Sequence, residues 1–300
     1  MTTIKNVIVL GGASGNLGPH IVKALLDSNN FKISVLSRES SNSTAPEGVT
    51  VLKSDYSPDS LKEKFTGQDA VVSTIASMVV PLQKTIIDAA VDAGVKRFIP
   101  SEYGINTTGP LPPELSIMLG GKVAIQSYLK EKASTNPGFS WTALATGPFF
   151  DWGIKRQMLG LNVPTHSATI YDSGNEAFST TTVAQIGRAV SRILELPDKT
   201  ANQYLWVKSF TTTQNELISI LEEVTGTKWD IQKGSAGDIY KMGQEKFAKK
   251  DPSSFINFLQ AYLLIDGSGL STVSDEEAAN DLLGLPKEDL KDTIKSLVSS

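Results

Sequence analysis

The sequence predicts an α/β fold in which a doubly wound parallel sheet carries a smaller, mostly helical lobe. Short apolar runs alternate with segments of helical periodicity through the first half of the chain. Strands joined by helices pair in parallel through right-handed crossovers. A glycine-rich loop follows the first apolar run, where such sheets place a ligand. The composition, 40% hydrophobic and 20% charged in 300 residues, is typical of a globular protein.

Local signals along the first half define the individual elements. Apolar residues recur at helical spacing, as at Leu17 and Ile21. Ser57 followed by Pro58 is typical of a helix N-cap and first helical residue, and Gly94 indicates a helix end. The predicted strands are Val7–Leu10, Ile33–Leu36, Val49–Leu52, Ala70–Ile75, Arg97–Pro100 and Thr142–Ala145.

The alternation weakens beyond residue 150, so residues 1–150 are predicted as the sheet domain and 151–300 as the substrate-binding lobe. Segment 180–207 is expected to rejoin the sheet, which makes the lobe interleaved with it. A helical pattern over Val183–Leu194 precedes a strand-like run, Gln203–Val207. Further helices are predicted at Gln214–Thr225, Ser253–Leu264 and Lys287–Val298.

Composition excludes several classes of function. The net charge of -4 argues against a dedicated nucleic-acid binder, which needs a basic face. With 0 cysteines and 2 histidines, thiolate chemistry is excluded and a multi-histidine metal centre is disfavoured. The apolar stretch Ile75–Leu82 is too short for a membrane span, so a cytoplasmic protein without a membrane partner is expected. Because cysteine is absent and histidine is scarce, a cofactor is expected to supply the reactive group.

Gly12, Gly15 and Gly18 lie at G-x-x-G-x-x-G spacing between the first strand and the first helix, which predicts a Rossmann-type dinucleotide loop. Gly12 is expected to allow the tight turn, Gly15 the approach of a pyrophosphate, and Gly18 close packing of helix on strand. The alternative is a glycine-rich turn between strand and helix that binds no ligand. A phosphate loop of nucleotide triphosphatases is excluded, because Pro19 follows the last glycine. The predicted contacts are Gly12, Ser14, Gly15, Asn16, Leu17 and Gly18.

The end of the second strand indicates which dinucleotide binds. NAD sites usually place an acidic residue there, whereas this chain has Ser37 and Arg38, which suit a 2′-phosphate. The cofactor is therefore predicted to be NADPH or NADP+. Glu39 weakens this inference, and Arg38 as a solvated loop residue is the alternative. Asp55, after the third strand, is expected to accept a hydrogen bond from adenine. The cofactor is expected to cross the sheet edge at Ser73, Thr74 and Ile75.

Lys122 is the candidate catalytic residue, on a predicted helical segment from Glu114 to Lys132. Short-chain dehydrogenases commonly have a tyrosine four residues before such a lysine. Met118 stands there and cannot exchange a proton, so the tyrosine mechanism is excluded. The Lys122 ammonium could donate a proton or stabilise developing charge. It could also only bind the ribose or lie at the surface. Tyr103 is a second possible acid, with packing as the favoured alternative.

An aromatic cluster follows Pro148, just past the sixth predicted strand. Ligands enter such sheets at the carboxyl ends of strands, and aromatic rings suit a flat apolar substrate. Tyr103, Phe149, Phe150 and Trp152 are therefore predicted to line a substrate pocket, with Pro148 and Phe149 also contacting the cofactor. The alternative is that these rings belong to the core.

The chain resembles the isoflavone-reductase-like and NmrA-like branch of atypical short-chain reductases, particularly the fungal members. The resemblance covers most of the chain, while the tail from about Ser235 is similar only in its helical character. It rests on Gly12–Gly18, Ser37, Arg38, Asp55, Lys96–Gly104, Lys122, Gly147–Phe150 and Thr225–Trp229.

This resemblance implies NADPH binding without a tyrosine acid, and a lysine at Lys122 near the nicotinamide. It also implies reduction of aromatic secondary metabolites at conjugated or benzylic carbons. We therefore expect an NADPH-dependent reductase of a small metabolite with an activated C=C, C=O or C=N, acting as a monomer or homodimer. The alternative is a redox-sensing regulator that binds NADP(H) without turnover.

Overall fold

The computed structural model describes residues 2–76, 79 and 82–299, so the Ile75–Leu82 stretch lies partly outside the described residues. Seven strands form the main sheet, and every neighbouring pair is parallel. They are β1 (Asn6–Leu10), β2 (Lys32–Arg38), β3 (Val49–Ser54), β4 (Ala70–Ser73), β5 (Arg97–Ile99), β6 (Ser140–Ala145) and β10 (Gln203–Trp206). Their order across the sheet is β10, β6, β5, β4, β1, β2, β3.

Helices cover both faces of this sheet. In β1, Val7 and Val9 pack into a different apolar cluster from Ile8 and Leu10, because successive side chains point to opposite faces. Helices α1 and α6 pack on the first face, and α2, α3 and α4 on the second. The five helices are α1 (Gly18–Ser28), α2 (Pro58–Phe65), α3 (Gln83–Asp92), α4 (Pro113–Thr135) and α6 (Val183–Glu195). The doubly wound arrangement is confirmed.

Close contact between α1 and α6 requires a glycine. A Cβ atom at Gly187 would lie 2.5 Å from the carbonyl oxygen of His20. Helix α6 thus packs on α1, and β10 from the same segment pairs with β6 in the main sheet. How the chain divides into folding units stays a prediction.

The rest of the chain forms a lobe with its own apolar cluster. It contains a three-stranded sheet, β12-β8-β7, and a two-stranded antiparallel pair, β11-β9, beside its helices. Its strands are β7 (Leu161–Asn162), β8 (Ser167–Tyr171), β9 (Phe178–Thr180), β11 (Phe210–Thr212) and β12 (Asp230–Gly234). The remaining helices are α5 (Phe150–Lys155), α7 (Pro197–Thr200), α8 (Gln214–Thr225), α9 (Ala236–Ala248), α10 (Ser254–Leu264), α11 (Asn280–Leu283) and α12 (Leu290–Val298).

Within the described part of the chain, no helix is both long and apolar enough to cross a membrane.

Candidate functional site

The chain reverses its direction across the sheet between β1 and β4, and a cleft of about 990 Å³ opens at their carboxyl ends. Open α/β sheets bind ligands at such a switch point. The predicted strand to Ile75 ends earlier, at Ser73. Thr74 follows directly, and its N–H (3.0 Å) and its hydroxyl (2.7 Å) both donate to the carbonyl oxygen of Leu10 in β1.

The glycine loop lines the middle of the cleft, because β1 lies between β2 and β4 in the sheet. The turn expected at Gly12 occurs at Gly11 instead, which has φ +74° and would place a Cβ atom 2.9 Å from Thr74 Oγ1. Gly12 is buried, where a Cβ atom would contact three valine side chains. A Cβ atom at Gly18 would lie 2.2 Å from the Gly11 carbonyl oxygen, so α1 packs closely on the loop as expected. Gly15 has φ +81° and no atom within 4 Å of its Cβ position, so its backbone is open to a ligand.

The N-terminus of α1 faces this loop. Leu17 precedes the helix and, in the part of the chain described, no side chain caps it. Ser14, Gly15 and Asn16 are exposed and line the cleft together with Leu17. Uncapped helix N–H groups and the positive end of the helix dipole attract phosphate. The open backbone at Gly15 and the free helix terminus therefore fit a dinucleotide pyrophosphate.

The carboxyl ends of β2 and β3 line the cleft on one side of the glycine loop, and those of β4 and β5 line it on the other side. Arg38 is exposed, with no ion pair or side-chain hydrogen bond to any described residue, so its guanidinium is free for a ligand. Ser37 is buried, and its hydroxyl lies 3.3 Å from the Ser43 hydroxyl. Asp55 accepts hydrogen bonds from the Ser57 N–H (2.9 Å) and hydroxyl (2.7 Å), which lower the pKa of Asp55. That carboxylate oxygen is thus already engaged.

Lys122 lies in the wall of the cleft and is only 8% exposed. Its Nζ donates a hydrogen bond to the carbonyl oxygen of Glu102. Burial lowers the pKa of Lys122, and the nearby charge of Glu102 opposes that effect. Tyr103 also lines the cleft, with φ +22°. Its hydroxyl is buried without a partner among the described residues, and burial raises the pKa of Tyr103.

Some of the other residues predicted to contact the cofactor line the cleft, and others are buried away from it. Thr74, Ile75 and Phe149 line the cleft, whereas Ser73 is fully buried and its hydroxyl has no partner among the described residues. Pro148 is buried and does not line the cleft; its carbonyl oxygen accepts the Thr180 hydroxyl at 2.7 Å.

The aromatic cluster separates in space. The prediction that Phe150 lines the pocket does not hold in this structure: its ring is fully buried in the lobe, 5.1 Å from the Phe210 ring centroid. Trp152 lines a neighbouring cleft of about 450 Å³ with Arg156 and other residues. Asn16 lines both clefts, so the two adjoin at the glycine loop.

Several lining residues were missed from the sequence. Glu102 and Ser101 follow β5 at the same carboxyl edge as the predicted residues, so strand position was an available signal. Tyr56 lines the cleft with φ +64°, which no local pattern indicates. The other missed residues are Gly11, Leu36, Glu39, Ser40, Ser41, Ser43, Ser54, Ala76, Val79 and Leu82.

A doubly wound parallel sheet with an open glycine loop at its switch point defines a dinucleotide-binding protein. The sequence matches the NmrA-like family over residues 4–250, and the chain belongs to this family. The resemblance identified from the motifs is confirmed. The NmrA-like family binds NADP(H), which agrees with the predicted cofactor.

Relatives extend over most or all of the chain. It is 38% identical to oxidoreductase aprR of Aspergillus flavus over 299 residues, which cover 99% of both chains. It is 32% identical to isoflavone reductase homolog IRL of Zea mays over 245 residues, 75% of this chain and 76% of that one. The solved structure of AtPrR2 with NADP+ and (+)pinoresinol has a TM-score of 0.78 at 24% identity, covering 98% and 99% of the two chains. The chain is thus related to oxidoreductases.

Proposed function

We propose that this protein is an NADPH-dependent reductase of small aromatic or conjugated metabolites. One observation carries the proposal: a single cleft is lined by an open glycine loop at the end of the central strand β1, by the free guanidinium of Arg38 at the end of β2, and by buried Lys122. The glycine loop and Arg38 supply contacts for a phosphorylated dinucleotide. Lys122 supplies a cation beside the space where a substrate would bind. The names of the fungal and plant relatives support the same class of reaction.

Different parts of the cleft bind different parts of the cofactor. The loop from Ser14 to Asn16 and the N-terminus of α1 hold the pyrophosphate. Ser37 and Arg38 hold the 2′-phosphate, and Asp55 faces the adenine end. Thr74, Ile75 and Phe149 line the path toward Lys122. NADPH, when bound, supplies the hydride.

Lys122 is the proposed catalytic residue. Reduction of an activated double bond builds negative charge on the acceptor's oxygen or nitrogen. The Lys122 ammonium neutralises that charge or donates its proton, directly or through water. The position four residues before Lys122 on α4 offers no phenol as an alternative acid, because it is Met118, which packs against the lobe.

Aromatic and apolar side chains favour a flat acceptor. Phe149 lines the main cleft, and Trp152, Met158 and Ile256 line the adjoining one. Such surfaces bind aromatic rings by stacking and by burial of apolar area. The pinoresinol in the AtPrR2 structure and the name of the maize relative support an aromatic substrate.

Arg38→Ser tests the cofactor assignment. The variant is expected to raise the Kd for NADPH by about 10- to 100-fold, because a charged hydrogen-bonding partner of the 2′-phosphate is lost. The Kd for NADH, which lacks that phosphate, is expected to change little. Both are measured by fluorescence titration.

Arg188→Ser is the matched control, since Arg188 is also an exposed arginine but lies on α6 and pairs with Glu288. It is expected to leave both Kd values unchanged. Wild-type protein that binds NADH as tightly as NADPH, or an Arg38→Ser variant weakened equally for both, would contradict the assignment.

A further inference from the structure

A buried polar cluster lies directly behind Lys122. Its centre is the Glu102 carboxylate, whose residue is 2% exposed. The carboxylate accepts hydrogen bonds from the Thr107 hydroxyl (2.5 Å) and the Gln126 side-chain amide (3.0 Å). Gln126 also donates to Thr107 Oγ1 at 2.6 Å. Thr107 and Gln126 are themselves buried, so the cluster is shielded from solvent.

Strand β10 contributes one more side chain, Tyr204, to the cluster. The Tyr204 hydroxyl, from β10, accepts the Thr107 N–H at 3.1 Å and lies 3.3 Å from Thr107 Oγ1. It also interacts with the Glu102 carboxylate. The loop after β5, helix α4 and strand β10 thus converge on one carboxylate, whose hydrogen-bonding partners are all neutral.

Lys122 interacts electrostatically with this carboxylate, and its Nζ donates to the carbonyl oxygen of Glu102 itself. Glu102 forms no ion pair at salt-bridge distance with any described residue. Tyr103 and Tyr204 are the other titratable groups beside the pair, and burial raises the pKa of both phenols, which keeps them uncharged. Two opposite charges are therefore buried side by side among neutral groups.

Burial of either charge alone is costly, because it loses solvation without a compensating partner. Placed together, each offsets part of the cost of the other. Lys122 and Gln126 are four residues apart on α4, so one helix face holds both the cation and a donor to the anion. The hydrogen bond from Nζ to the Glu102 carbonyl oxygen fixes the position of the lysine side chain before any ligand binds.

We propose that Glu102 is a positioning residue whose carboxylate, held by Thr107, Gln126 and Tyr204, keeps the Lys122 amine protonated at the wall of the cleft. The consequence for turnover rests on the proposed function of Lys122. The protonation state itself does not, and it can be measured without any acceptor.

Glu102→Gln tests the proposal, since it removes the charge and keeps the shape. Competitive labelling with acetic anhydride across a pH series, read by mass spectrometry of the Lys122 peptide, gives the midpoint at which the amine loses its proton. The midpoint is expected to fall by about one to two pH units, because an adjacent buried charge stabilises the ammonium by that amount. Glu131→Gln is the control: it removes an exposed carboxylate from the same helix and is expected to leave the midpoint unchanged.

An unchanged Lys122 midpoint in Glu102→Gln overturns the proposal. A second measurement covers the case in which this variant is too unstable to label. Adding Lys122→Met removes the uncompensated charge, so the double variant is expected to have a higher urea midpoint than Glu102→Gln alone. A double variant no more stable than the single one also overturns the proposal.

The positioning role of Glu102 and the catalytic role of Lys122 can be contradicted independently of each other. A shifted labelling midpoint together with full turnover in Lys122→Met supports the role of Glu102 and contradicts the proposed function of Lys122. An unshifted midpoint with lost turnover in Lys122→Met does the reverse.

Discussion

Lys122→Met is expected to reduce the turnover number for an accepted substrate by about 100- to 10,000-fold, the usual contribution of a positioned acid. Methionine preserves the length and apolar stem of the side chain but supplies neither a proton nor a positive charge. The Kd for NADPH is expected to rise by no more than about tenfold, the value of one lost hydrogen bond. Turnover is measured from NADPH absorbance with acceptors drawn from carbonyls, enones and quinone methides.

Lys130→Met is the control, because Lys130 is exposed on the same helix. It is expected to retain wild-type turnover. Full activity in Lys122→Met would show that the proton or charge comes from another group.

The pH dependence of turnover tests whether the protonated form of Lys122 is the active form. Burial lowers the pKa of Lys122 from its ordinary value of 10.5, and the active form is the ammonium, which exists below that pKa. The wild-type rate should therefore be level on the acid side and fall as the pH rises through a value below 10.5. The residual activity of Lys122→Met should lack this alkaline decline.

Arg97→Met is expected to lower the free energy of unfolding by about 3 kcal/mol or more. Arg97 is 1% exposed, and its guanidinium donates to the hydroxyls of Ser140, Thr142 and Thr200, each at 2.9 Å. It also donates to the carbonyl oxygen of Pro197, and burial lowers the pKa of Arg97 to about 10. Methionine fills the space but leaves these buried acceptors without a donor.

Lys96→Met is the matched control, one residue earlier in the chain. Lys96 forms an ion pair with Asp69 at 2.7 Å, and its side chain is 46% exposed. Loss of such an exposed pair is expected to cost at most about 1 kcal/mol. Urea denaturation measures both variants, and an Arg97→Met cost no larger than that of Lys96→Met would contradict a structural role for the buried guanidinium.

Much of the sheet could be predicted because its strands are buried on both faces. Continuous apolar runs such as Val7–Leu10 are typical of parallel strands covered on both sides, and the structure has a strand there. Helix α8 has the predicted bounds, Gln214–Thr225, because signals mark both ends. Thr213 caps its first turn, and Gly226 takes φ +65° after its last.

The small sheet of the lobe could not be predicted in this way. Strand β12, Asp230–Gly234, is almost entirely exposed, so its sequence has no apolar periodicity to indicate a strand. It pairs in parallel with β8, Ser167–Tyr171, which is distant in sequence. Only the folded chain brings the two together.

The candidate site shows the same limit. Arg38 and Lys122 were found from local patterns, whereas the cluster around Glu102 joins Gln126 and Tyr204 from distant segments, which no local pattern reports. Phe149 and Phe150 are adjacent but face differently. Phe149 is extended and bridges to Thr181, whereas Phe150 is the first residue of α5, so the backbone conformation changes between the two rings. The sequence alone could not show which ring faces the cleft.

Hydride transfer from NADPH deuterated at C4 tests the central claim most directly. The protein is incubated with the labelled cofactor and the acceptor panel, and the products are analysed by mass spectrometry. We expect at least one aromatic or conjugated acceptor to gain deuterium on carbon, with a matching loss of NADPH. Tight and redox-selective binding of NADP(H), with no deuterium transferred to any acceptor, would contradict a reductase and indicate a sensor.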